Sequence, residues 1–135
     1  MTPAISQNEV PAGYALHNPA TSAGIKETKD CTVRALVNAT GKPYGEVHAV
    51  FAEHGRKNRR GFRFHQCIHS IAADLGISVK LVRRSGSVEK LIRLFPQGKV
   101  IVHVRRHAFT IIDGVIHDSW TPSKGCHVKQ AWLVQ

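Results

Sequence analysis

His107-Ala108-Phe109-Thr110-Ile111-Ile112-Asp113-Gly114-Val115-Ile116-His117-Asp118 sets two apolar runs around an Asp-Gly pair. Asp-Gly in that setting is among the strongest local hairpin signals, because both central residues of the tight turn need positive φ. The reading is strands over residues 107–112 and 115–120. A two-residue turn puts Ile112 opposite Val115, Phe109 opposite Asp118 and His107 opposite Trp120. Side chains alternate along a strand, so His107, Phe109 and Ile111 share a face with Ile116, Asp118 and Trp120. His107 and Asp118 are then diagonal neighbours with backbones ~7–8 Å apart, a gap their side chains can close. An Asp in that position fixes the tautomer of the ring and favours its charged form.

Outward from the hairpin, residues 100–104 read as a buried strand and residues 131–134 as a terminal one. Upstream the period changes. Residues 30–41 form a short helix, apolar nearly all round, with Asp30 as N-cap and Gly41 as stop. Pro43 opens a second helix to about His54. Phe64, Ile68, Ile71 and Leu75 line a third over 64–75. Residues 79–82 form a short strand, and Ser87 caps a helix over 88–95 that Pro96 ends. Residues 1–24 are an irregular lead-in with one short strand at 14–16. The expected domain is therefore single over 1–135: a mainly helical half at 25–95 and an antiparallel sheet half at 96–135. This is an α+β class with segregated layers.

Bulk properties narrow the function. A chain of 135 residues with 42% hydrophobic content suits one core. No run approaches the ~20 apolar residues of a membrane helix. The opening MTPAISQNEVPAGYAL lacks a basic segment followed by an apolar one, so no secretory leader and a cytoplasmic setting are expected. Three cysteines, an odd number, argue against a disulfide scaffold. Lys plus Arg is 19 against 9 for Asp plus Glu, a net charge of +10. The excess is concentrated in residues 55–106, which carry 13 basic side chains and only Asp74 and Glu89. Arg56, Lys57, Arg59, Arg60 and Arg63 form one cluster, and Arg83 and Arg84 a second beside Lys80. Such a band attracts polyanions: nucleic acid or an acidic protein face. Phe62 and Phe64 alternate with the first cluster in a manner suited to base stacking.

Cys31 stands at the first turn of a buried helix, where the partial positive charge and unpaired N–H groups stabilise a thiolate. The same N–H groups bind a developing oxyanion. Cys at a helix start, His on a strand and Asp on the next strand together suit acyl transfer. His65 and His69 have the spacing of a shared zinc pair, with Cys126-His127 as further ligands. No Glu lies between the two histidines, and Cys67 projects from another side of the helix, so no metal is assigned.

Asp30-Cys31-Thr32-Val33-Arg34-Ala35, then Ala39-Thr40-Gly41-Lys42-Pro43-Tyr44, then the basic Gly55-Arg56-Lys57 stretch carry a resemblance. So do Phe95-Pro96-Gln97-Gly98-Lys99-Val100-Ile101-Val102 and the hairpin itself. Together they resemble small phage-encoded proteins of the papain-like class, similar to the peptidase domains that process bacteriocin leaders. The likeness spans about residues 28–120. It implies a papain-like fold and a peptide or protein substrate, with no cofactor and a host-cytoplasmic location. It also implies Cys31 as nucleophile, His107 as general base and acid, and Asp118 as orienting acid. The papain-like class usually carries a Gln about six residues before the Cys as an oxyanion donor, but position 25 is Ile. The backbone N–H of Cys31 with that of Thr28 or Lys29 is the expected substitute. The alternative function is a catalytically silent relative that binds nucleic acid or an acidic host protein through residues 55–106.

Overall fold

The computed structural model describes residues 10–25 and 27–135. Strands are β1 (Tyr14–Leu16), β2 (Val79–Arg83), β3 (Lys99–Val104), β4 (His107–Ile112), β5 (Val115–Asp118) and β6 (Gln130–Val134). Helices are α1 (Pro19–Ser22), α2 (Cys31–Thr40), α3 (Tyr44–Glu53), α4 (Ile68–Asp74) and α5 (Val88–Leu94). The class is α+β, with one six-stranded sheet in the order β1-β5-β4-β3-β6-β2.

The hairpin has the register read from its turn. Thr110 lies opposite His117, Ile111 opposite Ile116 and Ile112 opposite Val115. Asp113 and Gly114 both take positive φ, +49° and +78°. The Asp113 carboxylate accepts the Gly98 N–H at 2.8 Å and so serves the turn end of the sheet. The sheet is mixed, however, where a purely antiparallel one was expected. β1 pairs with β5 in parallel, Tyr14 against Ile116 and Leu16 against Asp118. The layers are also less segregated along the chain than expected, because β1 and β2 come from the first two thirds.

Alternation divides the apolar residues between two cores. Ile101, Ala108 and Trp132 face α2, α3 and α4 with Val33, Leu36, Phe51, Ile68 and Ile71. Val100, Val102, Phe109, Ile111 and Ile116 face the other way, against Val88 and Leu91 of α5. α2 lies along β4, where the Thr110 hydroxyl donates to the Ala35 carbonyl at 2.6 Å. Gly41, at φ +70°, ends α2 as read, and the Ser87 hydroxyl caps α5 by accepting from Lys90 N.

The third predicted helix is broken. Phe64–Gln66 is a single 3₁₀ turn, Cys67 leaves helical geometry at φ −137°, and α4 starts afterwards. The break lets Phe64 turn under the sheet, edge-on to Trp132 and His103.

Candidate active site

Three element ends meet at one end of the sheet. α2 begins at Cys31, β4 begins at His107 and β5 stops at Asp118. The antiparallel pairing of β4 with β5 puts the last two side by side, and α2 starts over the same end of β4.

Asp30 opens α2 but does not cap it with its side chain. The carboxylate is buried and drawn elsewhere: it accepts from the Tyr44 hydroxyl at 2.8 Å and lies 3.3 Å from Arg34 Nε. Burial, then the bond to Asp30, raises the Tyr44 pKa, so that hydroxyl stays a donor. Diverting Asp30 leaves the first-turn N–H groups without its oxygen, and none of Cys31, Thr32 or Val33 donates to a backbone carbonyl among the described residues. Those are the groups a helix start offers an anion.

The His107 Nε2–H donates to Asp118 Oδ2 at 2.5 Å, and both side chains are nearly out of solvent. The other Asp118 oxygen accepts the Ser119 N–H at 2.7 Å. Arg34 bonds the Ser119 hydroxyl and lies 4.0 Å from Asp118. The Asp118 backbone is fixed from the β1 side, where its carbonyl accepts the His17 N–H at 2.9 Å. With Nε2 committed to the carboxylate, Nδ1 is the nitrogen left for the sulfur. Burial alone pushes the ring pKa down, but the hydrogen bond to the Asp118 carboxylate, with the Cys31 sulfur as a neighbour, raises it to about 9. Trp120 lies against His107 with ring centroids 4.9 Å apart and shields the ring from solvent. Cys31 is half-buried and, with His107 and Trp120, lines a cleft of about 1010 Å³.

Comparison with protein-family models, curated proteins and solved structures finds no match.

The remaining expectations divide. The Thr28 N–H donates to Glu27 Oε1 at 3.0 Å, which removes it as an oxyanion donor. Lys29, at φ +53°, lines the cleft. Ile25 packs against the helical core. Three side-chain amides precede Ile25 in the sequence: Asn18 caps α1, while Gln7 and Asn8 lie outside the described residues.

The basic band is not one surface. Arg56 is buried, where an exposed anion-binding group was expected. Its guanidinium pairs with Glu27 at 3.1 Å and donates to the Thr28 carbonyl. Glu27 also takes His48 at 2.8 Å and the Arg59 N–H at 2.6 Å. Burial opposes its charge, but these donors hold its pKa near 2. Lys57, Arg59, Arg60, Arg63 and Arg84 are exposed, and Arg83 is half-buried, donating to the Ser85 carbonyl. The base-stacking expectation fails at Phe64, which is buried; Phe62 is half-buried, edge-on to Phe51. His65 and His69 are divided by the Cys67 break, and His65 stacks on His103 at 5.2 Å instead. Among the described residues no three His, Cys, Asp or Glu gather as a metal site.

Sequence reasoning passed over Arg34, Trp120 and Glu27. Arg34 follows Asp30 by one helical turn, a readable ion-pair signal. The hairpin register placed Trp120 opposite His107 but gave it no role. Glu27 carried no local signal, since its side-chain partners, His48 and Arg56, lie far along the chain.

Proposed function

We propose that the protein is a papain-like cysteine peptidase or isopeptidase, working by thiol-dependent acyl transfer. One observation carries the reading: a single imidazole, His107, bonds a buried carboxylate through Nε2 and lines the same cleft as Cys31 at the start of a helix. His107 Nδ1 takes the thiol proton and the thiolate attacks the substrate carbonyl carbon. The N–H groups of Cys31 and Lys29 face the negative oxygen of the tetrahedral intermediate. The imidazolium gives its proton to the leaving amine as the C–N bond breaks. Water, deprotonated by the same ring, cleaves the thioester and restores the thiol. Asp118 keeps Nε2 protonated throughout.

The test is cleavage of a fluorogenic peptide library by wild type and by Cys31→Ala. Loss of cleavage in the variant with an unchanged melting temperature supports the enzyme; equal turnover overturns it. A silent, purely binding relative is the second reading, favoured by an apolar Ile25, packed against the core, at the position where a Gln donor belongs. In that case wild type alkylates at Cys31 but cleaves no member of the library.

A further inference from the structure

The cleft beside Cys31 is lined by Lys29, Arg63, Arg106 and Lys129 as well as Arg34, and by no Asp or Glu. Arg34 is taken up by Asp30, Asp118 and Ser119. The other four form no ion pair among the described residues. They come from four separate places: the loop before α2, the loop before the 3₁₀ turn, the β3–β4 turn and the approach to β6. Lys29 and Arg106 hold left-handed backbone, φ +53° and +58°, which is uncommon for such residues. All four are exposed, and like charges gathered around a concave surface repel one another and reinforce a joint field. No carboxylate among the described residues pairs with these four, so the complementary charge belongs to what enters.

We infer that the cleft selects an acidic peptide as acyl donor, with Asp or Glu side chains flanking the carbonyl presented to Cys31. This rests on the acyl-transfer reading and adds its substrate class. A peptide suits the site better than nucleic acid. The charges surround one bounded space of a size that holds a few residues, not a long track for a phosphate backbone. Of the aromatic side chains in it, Trp120 already covers His107 and Phe62 is packed on Phe51. Trp120 is about half exposed but stands alone, without the row of aromatic faces that successive bases need.

Binding separates this inference from catalysis. Cys31→Ser protein is titrated with a fluorescein-labelled peptide rich in Asp and Glu, with its Asn/Gln counterpart and with a single-stranded oligonucleotide of equal charge. The acidic peptide is expected to bind about tenfold or more tightly than the neutral one, with a preference that falls as salt rises. Arg63→Glu with Arg106→Glu is expected to abolish that preference. Lys57→Glu with Arg84→Glu removes the same total charge away from the cleft and is expected to keep it. Equal binding of the two peptides overturns the inference, as does equal loss in both double variants or tighter binding of the oligonucleotide. Charge-selective binding without cleavage by wild type sustains the acidic-peptide site and counts against the peptidase reading.

Discussion

His107 joins the chemistry to stability. Its pKa is about 9 in the folded chain and ~6.5 when unfolded. A raised folded value stabilises the protein fully below about pH 6.5, and that contribution disappears as pH rises through 9. Wild-type stability is therefore expected to fall across this window, measured by urea midpoints, and His107→Gln to flatten the slope there. Asp118→Asn removes the carboxylate that raises the ring. The His107 proton resonances are expected to titrate at lower pH, and cleavage to drop by about 10²-fold or more. Glu27 works in the opposite direction. Held near pH 2, its charge contributes stability above about pH 4.5 that is lost as pH falls toward 2. Glu27→Gln leaves Arg56 buried without its carboxylate. It is expected to cost on the order of 3 kcal/mol by chemical denaturation. The role of Arg56 was hidden in the sequence for a definite reason: its cationic neighbours are adjacent in the chain, while the carboxylate that buries it lies far upstream.

At the scale of elements, local signals were legible where a local force decides. Asp113-Gly114 set the hairpin and so the proximity of His107 to Asp118. Gly41 ended α2, and Ser87 capped α5. Ser87→Ala is expected to lower stability by about 1 kcal/mol, read from the thermal midpoint. Tertiary demands overrode the pattern elsewhere. The apolar period across 64–75 is real, yet Phe64 gains more from burial against Trp132 than from continuing a helix. Asp30 has the right identity for a cap, but Arg34 and Tyr44 compete for its carboxylate and win. The parallel pairing of β1 with β5 had no signature, because nothing in Tyr14–Leu16 records which strand it will meet.

On the scale of the whole molecule, one sheet is covered on both faces, and the two cores share β3, β4 and β6. Ile101 belongs to one core and Phe109 to the other, on neighbouring strands. Ile101→Ala and Phe109→Ala are each expected to cost about 2–5 kcal/mol. Both variants are expected to retain a single transition, with fluorescence and circular dichroism coinciding. Two separated transitions would mean that the faces unfold apart.

The partnership of β1 with β5 bears on how quickly the molecule can form. Tyr14 meets Ile116 only after nearly the entire polypeptide between them has been gathered in. Such distant closures are entropically slow, placing this topology among those that refold in milliseconds to seconds. Throughout that interval the backbone edge of β5 that β1 later occupies is open, and a second molecule's strand can dock there first. Dilute refolding should therefore give higher yields than concentrated refolding, a consequence of the one strand in the sheet that runs alongside its neighbour.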